Sequence, residues 1–277
     1  VKTKIIDING IKIGGGLPFV LIAGPCVIES EALVAEIGQG LKGICDSLGV
    51  PFVFKNSYDK ANRTSHDAFR GPGLAAGLEI LRRIKSQLQV AMLIDVHTAE
   101  QVPPSAEVAD VLQVPAFLCR QTDLMKAVCA SGRVVNVKKG QFLAPWDVAN
   151  IVEKFEAFGG KGLLITERGS CFGYNNLVND MRALPIMRRY GYPVVFDATH
   201  SVQLPGGQGR CTGGQREFVP HLARAAIASG CDGLFLEVHT EPDKALCDGL
   251  NQIPIKDLEG LLKQCLEIDR IVKHVKG

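Results

Sequence analysis

The sequence predicts a closed (β/α)₈ barrel of the α/β class. Three observations carry that prediction. Eight short apolar runs recur along the chain, helical apolar stripes lie between them, and the alternation continues almost to the last residue. The runs are Phe19–Pro25, Phe52–Ser57, Ala91–Val96, Val111–Ala116, Val134–Val137, Gly162–Thr166, Val194–Asp197 and Gly233–Val238. Most are continuous rather than alternating, as expected for strands of a parallel sheet buried on both faces. The length of 277 residues suits one such barrel, so residues 1–277 read as one domain, with 1–16 an N-terminal extension.

Within that extension, Lys4–Ile13 reads as a β-hairpin turning at Asn9-Gly10 and placed to plug the bottom of the barrel. After the first strand, Leu33, Val34, Ile37, Leu41 and Ile44 form a helical stripe. After the second, Leu74, Leu78, Leu81, Ile84 and Leu88 form another. Thr98 with Gln101 resembles a capping box opening the third helix. Val148, Ile151, Val152 and Phe155 fit a fifth helix. Ile255, Leu258, Leu261, Leu262, Cys265, Ile268 and Ile271 fit the last. An open doubly wound sheet is the alternative. It would want a glycine fingerprint at the first strand–helix turn, where Ala23-Gly24-Pro25-Cys26 stands instead. The Gly-rich stretch Ser201–Gly214, after the seventh strand, is a lid candidate.

Composition narrows the function. Hydrophobic residues make up 46% of the chain, and the net charge of +2 sets up no global field for nucleic acid or an anionic membrane. No apolar stretch is long enough to span a bilayer, and residues 1–16 have no signal-peptide core. Nine cysteines, scattered and without a C-x-x-C pair, point to a reducing cytoplasm rather than a disulfide scaffold.

In this fold the chemistry sits where strands run into their following loops. Cations dominate there. Lys55, Lys60, Arg63, Arg120, Lys138 and Arg168 would surround one cavity, and phosphate groups are their natural ligands. The plainer alternative pairs each cation with a carboxylate, but few acids remain once Glu237 and Asp248 are assigned. Those two, with Cys26 and His200, form a second constellation, because barrel closure brings strands seven, eight and one together. Thiolate, imidazole and carboxylates suit one divalent ion such as Zn²⁺, Fe²⁺ or Mn²⁺, with His97 and His239 as rival ligands. Lys55, Lys60, Lys138 or Lys139 would instead serve a Schiff-base aldolase.

Longer motifs sharpen this reading. Phe54-Lys55-Asn56-Ser57-Tyr58-Asp59-Lys60-Ala61-Asn62-Arg63-Thr64-Ser65 closely resembles the second-strand motif of the 3-deoxy-D-manno-octulosonate 8-phosphate synthases. Gln113 to Leu124, Asn136 to Phe142, Thr166-Glu167-Arg168-Gly169, Phe172 to Asn176 and Asp197-Ala198-Thr199-His200-Ser201 resemble that family too. The resemblance implies condensation of phosphoenolpyruvate with D-arabinose 5-phosphate and water, a step toward lipopolysaccharide. It places Lys55, Lys60, Gln113, Ala116, Lys138 and Arg168 at phosphoenolpyruvate. It places Asn62, Arg63 and Thr64 at the sugar phosphate, with Thr64 standing where Ser is common. Arg120 would reach the sugar phosphate across a subunit interface, implying a homotetramer. Cys26 at the end of the first strand marks the metal-dependent members of the family, with Cys26, His200, Glu237 and Asp248 as ligands. Lys138, Arg168 and Lys60 would stabilise developing charge, and Lys60 or a metal-bound water near Asp95 and His200 would protonate the new alkoxide. The nearest rival is the sister synthesis from erythrose 4-phosphate, whose enzymes have Lys-Pro-Arg where this chain has Lys60-Ala61-Asn62-Arg63. A non-catalytic sugar-phosphate binder is the rival from another class.

Overall fold

The protein is described by a computed structural model covering residues 2–207 and 213–274. Eight parallel strands run Val20–Gly24, Phe52–Asn56, Ala91–Asp95, Val111–Val114, Val134–Lys138, Gly162–Glu167, Val194–Asp197 and Gly233–His239. Each pairs with its neighbour in chain order. The eighth pairs with the first, Gly233 opposite Val20 through Glu237 opposite Gly24, so the sheet closes on itself. All eight predicted runs contain a strand. The boundaries move for local reasons: Pro25 and Pro115 have no N–H to give the ladder, so the first and fourth strands stop before them. The fifth, sixth and eighth strands extend to Lys138, Glu167 and His239, which fixes these polar residues within the barrel wall.

The continuous apolar runs divide by the two-residue period of a strand. Val20, Ile22, Val53, Leu93, Val111, Leu164, Val195 and Phe235 pack together in one inner cluster. Their immediate neighbours, among them Leu21, Phe54, Met92, Leu112, Leu163, Phe196 and Leu236, pack in a second cluster with the helices. Glu31–Leu48 shows how those helices are bounded: Ser30 Oγ accepts the Leu33 N–H at 3.2 Å, and Gly49 ends it in the left-handed region at φ 67°.

The N-terminal hairpin forms as expected. Ile6–Ile8 pairs with Ile11–Ile13, and Asn9 and Gly10 both take positive φ, 50° and 91°, as a two-residue primed turn requires. Ile6, Ile8 and Ile13 join the inner cluster and stop the barrel at its N-terminal end. Gly162 makes room for them, since a Cβ there would lie 2.9 Å from Ile6 Cγ2.

One expectation changes. Thr98 makes no side-chain cap; Ala99–Gln101 is a 3₁₀ turn leading into the short helix Val102–Ala106. Gln101 Oε1, which a capping box would turn to the Thr98 N–H, instead accepts the His97 N–H and the Tyr58 hydroxyl, both at 2.8 Å. Ile271 keeps the spacing of the last helix, Ile255–His274, but faces outward. In the lid candidate, Gln203–Leu204 pairs antiparallel with Gly213–Gly214, while residues 208–212 lie outside the described residues. Among the described residues, no helix is long and apolar enough to cross a membrane.

Candidate functional site

Two residues beyond the inner apolar cluster, the same strands change character. The pairs run Val53 to Lys55, Leu93 to Asp95, Val111 to Gln113, Leu164 to Thr166, Val195 to Asp197 and Phe235 to Glu237. Because the period is two, each polar residue points the way its apolar predecessor does, into the barrel. Asn136 and Lys138 do so from the fifth strand. The first strand contributes Gly24 to this layer, and it has to be glycine: a Cβ would stand 1.8 Å from the Lys55 carbonyl oxygen. The chain then turns at Pro25 and presents Cys26.

The floor of the site is a neutral chain of hydrogen bonds. Thr166 Oγ1 donates to Asn136 Oδ1 at 2.7 Å, and Asn136 Nδ2 donates to Gln113 Oε1 at 2.8 Å. With its oxygen taken, Gln113 turns its amide N–H groups to the pocket it lines. Above it, Lys55, Lys60, Asn62, Arg63, Thr64 and Asp95 line the same pocket as Ala116, Lys138, Arg168, His200, Glu237 and Asp248. The loops therefore bring together nearly every predicted substrate contact.

Arg120 does not join them. It is exposed beyond the 3₁₀ turn Ala116–Leu118, and its backbone oxygen accepts from Lys154 at 2.9 Å. The expectation that acids would be scarce is also corrected. Lys55 lies 2.5 Å from Glu237, Lys138 2.6 Å from Asp197, Lys60 3.6 Å from Asp95 and Arg63 3.5 Å from Asp248. Asp95 and Asp197 were visible at strand ends, but as partners of these cations they were missed. Lys55 also donates to the Pro25 and Cys26 carbonyls, both at 2.8 Å, so all three of its donors already have acceptors. It ties the turn after the first strand to the eighth strand.

What remains unmatched marks where ligands are wanted. Arg168 Nη1, Arg63 Nε, Asp95 Oδ1 and Glu237 Oε2 are buried without a partner among the described residues, a costly state for such groups. Burial pulls the Arg168 guanidinium and the Lys138 ammonium below their usual ranges, although Asp197 opposes this in both. Burial also opposes the charge on Asp197, yet His200 and Lys138 beside it hold its carboxyl well below the usual carboxylate range. Lys55, followed by His200 and Lys60, does the same for Glu237 against a like burial effect. The site is thus a dense, nearly balanced array of charges in low dielectric, where added anions meet fixed donors.

The metal-ligand expectation can be tested on donor chemistry. Donor atoms of His200, Glu237 and Asp248 lie within 4.8 Å of one another, and so do those of Cys26, Cys247 and Asp248. Asp248 is common to both groups and links Cys26 on one side to His200 and Glu237 on the other. Its backbone sits at φ 47°, a conformation that Asp tolerates better than most residues. Asp197 Oδ2 lies 2.6 Å from His200 Nδ1, which leaves Nε2 facing Glu237 at 3.6 Å. A carboxylate behind the imidazole is the usual support of a metal-ligating histidine. With Glu237 Oε2 unpartnered, these residues fit a divalent ion. The rival histidines stand apart from both groups: His97 Nε2 faces Asp95 at 3.9 Å and His239 Nε2 faces Glu29 at 3.6 Å. Cys247 was missed, because a cysteine in a loop reads as a small core residue until closure sets it against Cys26. Lys139 drops out as a Schiff-base candidate. It is fully buried and bonded to Gly140 O, Leu143 O and Ser170 Oγ.

Comparison with known proteins bears on this site as a whole. The family model described as DAHP synthetase I family matches residues 2–274. A 2-dehydro-3-deoxyphosphooctonate aldolase of Geobacter metallireducens is 62% identical over 271 residues, covering 98% of this chain and 100% of the relative. Proteins of the same name from Trichlorobacter lovleyi and Desulfosudis oleivorans are each 60% identical, over 271 and 276 residues. They cover 98% and 99% of this chain, and 100% and 99% of the relatives.

Proposed function

Because the chain belongs to the DAHP synthetase I family, and shares its full length with relatives named 2-dehydro-3-deoxyphosphooctonate aldolase, we propose a specific reaction. The chain condenses phosphoenolpyruvate with D-arabinose 5-phosphate and water, releasing 3-deoxy-D-manno-octulosonate 8-phosphate and inorganic phosphate. The product serves lipopolysaccharide synthesis. One observation carries the assignment: a single pocket holds two sets of anion-binding donors, each with a buried guanidinium nitrogen lacking a partner. Those nitrogens are Arg168 Nη1, in the set with Lys138 and Gln113, and Arg63 Nε, in the set with Asn62 and Thr64. Two phosphorylated substrates fill two such sets.

In this reading Lys138, Arg168 and Gln113 hold phosphoenolpyruvate, with Ala116 beside it, and Asn62, Arg63 and Thr64 hold the sugar phosphate. C3 of phosphoenolpyruvate attacks the sugar aldehyde, water adds to C2, and phosphate leaves with its bridging oxygen by C–O cleavage. Lys60 and Lys138 stabilise the negative charge that develops. Lys60 is also the proton source for the new alkoxide, and Asp95, at 3.6 Å, positions it for that transfer. Although burial works against the Lys60 ammonium, Asp95 foremost keeps its pKa well above the usual lysine value, so it stays loaded with a proton. Lys55 acts from behind by fixing Glu237. Cys26, His200, Glu237 and Asp248 would hold one divalent metal per subunit, which would supply Lewis acidity toward the sugar aldehyde or water. Gln203, Pro205 and Gly206, from the segment after the seventh strand, line the pocket and help exclude other water.

We further infer a cytoplasmic homotetramer with no nucleic-acid or membrane partner. Support comes from the exposure of Arg120 and of the adjacent Phe117, which is 54% exposed, beside a pocket that lacks one expected phosphate contact. Turnover assays with arabinose 5-phosphate and erythrose 4-phosphate test the main reading. The five-carbon sugar should be strongly preferred, and equal use of both would overturn the assignment. Arg63→Ala should raise the sugar-phosphate KM about 10–100-fold, as loss of a charge-assisted contact worth roughly 1.5–3 kcal/mol predicts. Its phosphoenolpyruvate KM should be nearly unchanged.

A further inference from the structure

The Cys26 and Cys247 sulfur atoms are 2.8 Å apart. Both side chains are buried, and with Val27 they form a small cluster separate from the two main cores. Cys26 follows the first strand, while Cys247 sits in the loop between Lys244 and Ile253. Hydrogen bonds from one side chain to the backbone hold both stretches. The Cys26 N–H donates to Gln252 Oε1 at 3.3 Å, and Gln252 Nε2 donates to the Cys247 carbonyl at 2.8 Å, so one glutamine side chain links the two cysteines. Closing from 2.8 Å to the ~2.05 Å of a disulfide requires a movement of under an ångström.

The two sulfurs differ in access. Cys247 lines the pocket, and Arg63 Nη1 donates to its sulfur at 2.8 Å; Cys26 does not line the pocket. An oxidant entering by the substrate route therefore meets Cys247 first. Both sulfurs also belong to the donor group that contains Asp248.

We propose that Cys26 and Cys247 form an oxidisable dithiol, and that the disulfide they make and the bound metal exclude one another. The exclusion rests on the metal reading given above; the disulfide itself does not. The chemistry balances with a peroxide as oxidant. The Cys247 sulfur attacks one peroxide oxygen and the O–O bond breaks, giving a sulfenic acid and one water. The Cys26 sulfur then displaces the hydroxyl as a second water and forms the S–S bond. The dithiol gives up two electrons and two protons, and the peroxide is reduced to two waters. A small dithiol reverses the step by thiol–disulfide exchange. A sulfur held in a disulfide is no longer a thiolate and cannot ligate a metal, so oxidation removes Cys26 from the ligand set. A bound ion conversely holds the sulfur that the disulfide needs.

The test uses the whole chain, stripped of metal with chelator, reduced, and treated with hydrogen peroxide under native conditions. Peptide mapping by mass spectrometry should find a Cys26–Cys247 cross-link. Zn²⁺ uptake, measured by elemental analysis after gel filtration, should be lost on oxidation and restored by dithiothreitol. Loading with Zn²⁺ before peroxide should suppress the cross-link. Cys247→Ser should form no cross-link and should keep its Zn²⁺ uptake through the same treatment. Zn²⁺ uptake by reduced protein without any cross-link would overturn the proposal while leaving the metal reading intact. A cross-linked protein that still takes up Zn²⁺ would overturn the exclusion, as would a Cys247→Ser protein that loses uptake on oxidation. Reduced protein that takes up no Zn²⁺ would overturn the metal reading and the exclusion together, whether or not the cross-link forms.

Discussion

At the N-terminal end of the barrel, Val20, Ile22, Val53, Leu93, Val195 and Phe235 close over one another and over three isoleucines of the hairpin. Two residues further along, the same strands present Gly24, Lys55, Asp95, Asp197 and Glu237. The backbone geometry of the two layers is the same, and both are almost completely buried. They differ in what completes them. The lower layer is satisfied by its own atoms, since apolar groups require only exclusion from water. The upper layer, with the residues just above it, keeps buried donors and acceptors that have no partner among the described residues, notably Arg168 Nη1 and Glu237 Oε2. A stable scaffold carries a layer that is complete only with its ligands, and the boundary between the two is one step of the strand period.

That contrast can be broken from either side. The largest effect should come from the upper layer. Chelation should abolish turnover without unfolding the chain, and a divalent metal should restore it; Cys26→Ala should lose metal in the same way. Full activity in a rigorously metal-free preparation would contradict this, with circular dichroism as the check on folding. Next, Ile8→Ala should cost about 2–5 kcal/mol of stability, the range for truncating a buried aliphatic side chain. It should leave kcat of the folded protein nearly unchanged, as denaturant titration and steady-state kinetics would show. Asp197→Asn should weaken metal binding roughly 10–100-fold through the orientation of His200, with a smaller effect on global stability. The smallest effect is acid sensitivity. The native carboxyls of Asp95 and Asp197 are held below their usual values, with burial opposing and Lys60 foremost for Asp95, and His200 foremost for Asp197. Their contribution is therefore complete above the unfolded value of about 3.9 and is lost as pH falls through the lower native value. Melting temperature of the metal-free protein should decline below about pH 4. Asp95→Asn should flatten that decline. Asp232, which burial holds above its usual value, works in the opposite direction.

Much of this was legible in the sequence, for identifiable reasons. Strands buried on both faces appear as unbroken apolar runs, and Asn9-Gly10 names its own turn. The polar layer was visible as the last residues of each run, and Lys60, Asn62, Arg63, Lys138 and Arg168 did reach one pocket. What was not legible depends on pairings between distant loops. No spacing indicates that Lys55 would have all its donors taken by Pro25, Cys26 and Glu237, or that Arg63 would lie against Cys247. Arg120 resembled its neighbours in type, but a 3₁₀ turn carries it out of the pocket. The capping box failed because Gln101 Oε1 is taken by the His97 N–H and by the hydroxyl of Tyr58 on another loop, a pairing that spacing does not show.

The barrel closes where Glu237 lies opposite Gly24, at the junction of its first and last strands. Cys26 leaves the ribosome more than two hundred residues before Glu237 and Asp248. The proposed ligand set therefore cannot exist before the eighth strand is made, nor in a protein whose final strand has failed to dock. On the proposed metal reading, occupancy would record that synthesis has run through the last strand and that the ring has been joined, so an ion bound there would also certify the assembly of the chain around it.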